Sequence, residues 1–169
     1  MDAGLLLARV VFGVLMAAHG SQKLFGWFGG YGLIGTGQFF EGLGFRPGRL
    51  FVTLASLGEV GGGVLMALGL FGPIGPALVV SVMIVAAISV HWQHGVFAAT
   101  NGIEVPLLYA TGAAALALTG PGQYSLDALL GLTSLWTPAV TWTALFIGII
   151  GALASLALRR ATARQAVVA

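Results

Sequence analysis

Between Leu50 and Val90 the chain carries a single ionisable side chain, Glu59. A segment this apolar offers water almost nothing to hydrogen-bond and has to be buried in other apolar matter. A bilayer core about 30 Å thick takes about 20 helical residues at a rise of about 1.5 Å each. The apolar runs of this sequence fit that ruler at residues 3–19 with an extension to 24, 50–70, 75–92, 105–119 and 137–158. Backbone polar groups in lipid must be satisfied within the segment, so the runs are expected to be helices. Composition agrees: 58% of the 169 residues are hydrophobic and 7% are charged, against about 25% charged in soluble domains. The expected fold is an all-α integral membrane four-helix bundle with a fifth transmembrane helix at the C-terminal end.

The same composition narrows the function. A formal charge of +2, spread thinly, is no footprint for nucleic acid. Without cysteine the chain has no thiolate nucleophile, iron–sulfur ligand or Cys-based zinc site of its own, so electron transfer would need a borrowed carrier. The first apolar run could pass for a signal peptide. Asp2, however, stands where a basic segment belongs and Arg9 interrupts the apolar core, so the run is read as retained.

The connections are informative too. Phe25 to Gly48 is too long for a tight turn and too apolar for a solvated linker, and a short interfacial helix is expected over residues 35–43. In that helix Phe39 and Phe40 would face lipid, with Glu41 and Arg46 toward water. Residues 71–76 carry the Gly and Pro punctuation of a tight turn, which makes the runs on either side antiparallel neighbours. Asn101 and Glu104, with Pro106 following, mark a helix start, and Gly120-Pro-Gly122 closes that helix. Ser125 or Asp127 is placed to cap a short helix before the last run. With five crossings, Lys23, Arg46, Arg49, Arg159, Arg160 and Arg164 fall on one side, and the positive-inside rule puts that side in the cytoplasm.

Ionisable side chains at mid-bilayer cost at least about 2.5–3.5 kcal/mol each, so they face the bundle interior and pair. Glu59 sits in the second run beside Gly61, Gly62 and Gly63, and its available partners are Arg9, His19, Lys23 and His91. His19, Gln22 and Lys23 share one helical face. His91 and His94 repeat the three-residue spacing at the end of the third run, with Trp92 between them. The first and third runs point the same way, so these ends share one level, and Asn101 and Glu104 join them there. The candidates for proton transfer are therefore Glu59, His19 and His91. Those for ligand binding are Gln22, Lys23, His94, Trp92, Asn101 and Glu104. No metal is assigned, because the paired histidines lack a clear third and fourth ligand. Phe12, Phe25, Trp27, Phe28, Trp92 and Phe97 would supply aromatic walls suited to a flat lipophilic ligand. Plainer readings stay open: Arg9 with Glu59 as a structural ion pair, Glu104 as a capping-box residue, and His94 and Lys23 as residues snorkelling to water. For Trp136 and Trp142 an interfacial belt is the preferred reading.

Together, His19-Gly-Ser-Gln-Lys-Leu-Phe-Gly26, Glu59-Val-Gly-Gly62, the His91 region, Asn101-Gly-Ile-Glu104 and Gly120-Pro-Gly-Gln-Tyr-Ser-Leu-Asp127 resemble the DoxX family. The resemblance covers about residues 3–130 and leaves 131–169 as an additional transmembrane helix with a basic tail. It implies a small multi-pass protein of the bacterial plasma membrane. The related DoxD subunit belongs to a thiosulfate:quinone oxidoreductase, so the resemblance further implies a membrane subunit of a redox complex. Such a subunit would bind quinone within the bundle and take electrons from a protein partner; a homo-oligomer is also open. The rival expectation is a non-catalytic scaffold, or a carrier of a small solute for a partner enzyme. Family members are drawn with four spans and both termini inside, which would turn the His19 face outward, opposite to the charge count.

Overall fold

The computed structural model describes residues 1–168, with side chains through Arg159. The side chains of Arg160 and Arg164, which contribute to the charge pattern, lie outside the described residues. The chain forms α1 (Asp2–Phe25), α2 (Gly32–Gly42), α3 (Gly48–Leu68), α4 (Ile74–Ala86), α5 (Glu104–Thr119), α6 (Leu126–Leu129) and α7 (Pro138–Val168). Helix α4 continues through a π turn at Ala87–His91 and a 3₁₀ turn at Trp92–His94.

Among the described residues, four helical segments are long and apolar enough to cross a membrane: Asp2–Phe25, Gly48–Leu68, Ile74–His94 and Pro138–Arg159. The additional C-terminal helix is thus a full-length one. The short one is α5, whose 16 residues reach only about 24 Å. It is nonetheless part of the core, where Ala113, Leu116 and Ala117 pack with Met16, Met66, Val79, Val80, Met83 and Leu145. Five passes therefore put the two ends of the chain on opposite faces, called here the N-terminal and C-terminal faces.

Small residues decide how these helices meet. At the crossing of α1 and α3, a Cβ added to Gly13 would lie 2.5 Å from the Gly63 carbonyl oxygen and 2.6 Å from the Ala67 nitrogen. A Cβ on Gly20 would lie 2.8 Å from the Ser56 carbonyl oxygen and 2.9 Å from Glu59 Cβ. Glycine therefore lets the two backbones touch, and the antiparallel register that results carries the end of α1 alongside Glu59. Helices α3 and α4 pack antiparallel through Gly62 and Gly75, as the turn between them requires. Helix α7 runs parallel to α4, with Gly148 against Ala77 and Gly151 beside Ser81.

At the N-terminal face Asp127 ties the connections together. It is fully buried, and its carboxylate accepts the backbone N–H groups of Phe71 at 2.9 Å and Gly72 at 2.6 Å. Ser125 caps α6 by accepting from the Ala128 N–H at 3.1 Å. Arg9, also buried, donates to the Tyr124 carbonyl at 2.5 Å and lies within electrostatic reach of Asp127. The pairing of Arg9 with Glu59, one of the alternatives open in the sequence, does not form. Because α1 and α3 are antiparallel, Arg9 reaches Gly69 at the far end of α3 from Glu59.

Candidate functional site

Toward the C-terminal face, a cavity of about 600 Å³ opens between the helices. His19 and Lys23 from α1, Glu59 from α3 and His91 from the end of α4 all line it. Glu59 is wholly buried. Its Oε1 accepts from Lys23 Nζ at 2.5 Å, while its Oε2 is buried without a protein partner. Lys23 is part-exposed, at 22%, so its stem lies along the bundle and its ammonium pairs inward rather than snorkelling to water. His19 stands within electrostatic reach of Glu59, Lys23 and His91, and all four side chains border the same cavity.

The π turn sets the place of His91. It widens α4 by one residue per turn, a local device that recurs at functional sites. His91 Nδ1 then meets the Asn101 carbonyl oxygen at 2.7 Å. A carbonyl only accepts, so Nδ1 carries the hydrogen and the neutral ring keeps Nε2 as its acceptor. Asn101 lines the cavity as well, and its left-handed backbone, at φ 64°, turns the loop so that the carbonyl reaches the ring.

The other proposed ligand-binding residues stand elsewhere. Gln22 Nε2 donates to the Phe28 carbonyl at 3.2 Å, and its side chain lines a neighbouring cleft of about 550 Å³ that shares Lys23, Thr36 and Phe39 with the main cavity. His94 bonds back to the Val90 carbonyl at 3.0 Å. Glu104 Oε2 accepts the Ala98 N–H at 2.6 Å and braces the loop before α5; that is a structural role, though not the reciprocal capping box. Trp92 is 69% exposed and stands outside the cavity lining.

The aromatic walls come from an unexpected part of the chain. Phe12 packs edge-on against Tyr109, while Phe25, Trp27 and Phe28 cluster among themselves in the first connection. The cavity is lined instead by Phe39, Phe40, Phe45 and Phe51, of which Phe40, Phe45 and Phe51 make tilted ring contacts in succession. A short helix forms at Gly32–Gly42 where the sequence predicts one over residues 35–43; Phe40 turns in against Phe45, while half-exposed Phe39 borders the cavity. Sequence reasoning also passed over Ser81, Ser89, Gly151 and Ser155, all of which line the space. Their signal was available as two stripes of small residues, one on α4 and one on α7, at multiples of four residues.

These residues fall where known proteins give them a context. The DoxX family profile matches residues 4–92. The chain belongs to the DoxX family. Its similarity extends to the inner membrane protein YqjF of Escherichia coli strain K12, which is 30% identical over 129 residues, covering 76% of this chain and 93% of that protein. No solved structure matches. The profile takes in α1 through the π turn, hence His19, Lys23, Glu59 and His91. Asn101 and the α7 wall of the cavity lie beyond it. With four helices that can span a bilayer, this DoxX protein is a multi-pass protein of the plasma membrane.

Proposed function

We propose that the cavity binds a quinone ring and that the protein is the membrane subunit of a quinone-linked redox complex. The observation that carries this reading is the convergence of His19, Lys23, Glu59 and His91 from three helices on one aromatic-lined space. Largely apolar pockets of about 300–1,000 Å³ with a few placed polar groups are typical small-molecule sites. Here Lys23 and His19 can donate to the ring oxygens, His91 Nε2 can take up a proton and pass it on, and phenylalanines can cover the ring's faces. Reduction of a quinone to a quinol takes up two electrons and two protons. A Lys–Glu pair with an unpartnered carboxylate oxygen, flanked by two imidazoles, can hold and pass those protons. The electrons would come from a protein partner. Lys23, Arg46, Arg49 and Arg159 sit at the C-terminal face, so the charge rule makes that face cytoplasmic. A reporter fused after α7 should be active in the cytoplasm.

Mass spectrometry of the organic extract of protein purified in mild detergent tests the reading. Wild type should carry quinone, and Glu59→Gln or His19→Ala should weaken rebinding by about tenfold each, consistent with losing one hydrogen bond to a charged or polar group. Because the residues form one group, the double variant should be non-additive. Wild type that neither carries nor binds quinone would sink the proposal and favour a scaffold.

A further inference from the structure

Among the described residues, helix α7 packs along α4 and forms no extended interface with α3. The cavity reaches this gap: Gly151 and Ser155 of α7 line it together with Leu54 of α3 and Leu78 of α4. A Cβ at Gly151 would meet only Ser81 Oγ, at 3.7 Å, so this arm of the cavity has room along the helix. Leu54 is 58% exposed, Leu78 38% and Phe39 51%, which gives the arm an apolar border that continues to the outer surface of the bundle. At the C-terminal face the gap is bridged. Arg159 Nε donates to the Leu43 carbonyl at 2.6 Å and its guanidinium lies 5.6 Å from the centre of the Phe45 ring. The arm is thus bridged toward water at that face and bordered by apolar side chains at membrane level.

We propose, resting on the quinone reading above, that this arm holds the apolar chain of a lipid-soluble quinone, which enters sideways from the bilayer between α3 and α7. A ring arriving from water would need no such arm. A ligand already dissolved in the membrane does, because its chain must stay in apolar surroundings while the ring reaches Lys23 and the histidines. The substrate class is therefore a quinone with a long alkyl or isoprenoid chain, and Gly151 and Ser155 are specificity-determining residues.

The test compares two probes with the same dimethoxy-methylbenzoquinone ring, one without a chain and one with a decyl chain, on the full-length protein in mild detergent. Gly151→Phe places a ring in the arm. It should weaken the decyl probe by about tenfold, as overpacking does, and leave the chainless probe within about twofold, since that probe never enters the arm. Ser155→Phe repeats the measurement should Gly151→Phe fail to fold. Equal weakening of both probes, or no change in either by a folded variant, overturns the arm while leaving ring binding in place. Wild type that binds neither probe overturns the quinone reading, and the arm with it.

Discussion

The two ends of the bundle both bury charge, and they spend it differently. At the N-terminal face the anion is saturated: both Asp127 oxygens accept backbone N–H groups from the turn between α3 and α4, and Arg9 stands behind it. At the C-terminal level the anion is half-used, since Lys23 takes one oxygen of Glu59 and the other has no protein partner. One charge staples loops and borders none of the cavity's lining. The other faces a cavity with aromatic walls. A buried carboxylate that has used its bonding capacity is structural; one with capacity to spare, beside space, is placed to work on something else.

The largest effect should come from the stapled end. Asp127→Ala leaves two buried N–H groups and the Arg9 guanidinium without their acceptor or counter-charge, and should cost about 3–5 kcal/mol of stability, read by thermal unfolding in detergent. If Glu59→Gln destabilises as much, the contrast between the two ends is wrong. Glu59→Gln should instead lose under about 1 kcal/mol of stability, because part-exposed Lys23 can swing toward water, with its main effect in quinone binding. His91→Ala removes the bond to the Asn101 carbonyl and should cost about 1 kcal/mol together with a loosened loop before α5, visible as faster proteolysis there. The smallest effects belong to residues outside the cavity. Gln22→Ala and His94→Ala should each leave quinone binding within about twofold, the scale of surface changes of about 0.5 kcal/mol or less. A tenfold loss in either would redraw the site.

Much of the site was legible because ionisable residues are so few that each must find a partner. Glu59, His19, Lys23 and His91 could be chosen for that reason, and the structure brings them to one cavity. Their pairing was not legible. Arg9 and Lys23 are equally cationic in the sequence, and only the antiparallel contact of α1 with α3, set by Gly13 and Gly20, hands Glu59 to Lys23. The aromatic walls misled for a similar reason. Phe25, Trp27 and Phe28 lie near His19 in sequence, whereas Phe51 comes from α3 itself and Phe40 and Phe45 arrive only when α2 and the connection after it fold back against α3.

Sequence by itself determined that this protein lives in a membrane, that its crossings are helical and roughly where each begins, because hydropathy and backbone hydrogen bonding act locally along the chain. It also singled out Glu59, His19, Lys23 and His91 as side chains that must find partners. Only the tertiary structure decided that Asp127 is a staple while Glu59 faces a cavity with one oxygen unpartnered, and that α7 walls that cavity rather than merely adding an anchor. Those outcomes depend on the register between helices, which glycines far apart in the chain set by letting backbones touch, and a one-dimensional pattern does not contain it.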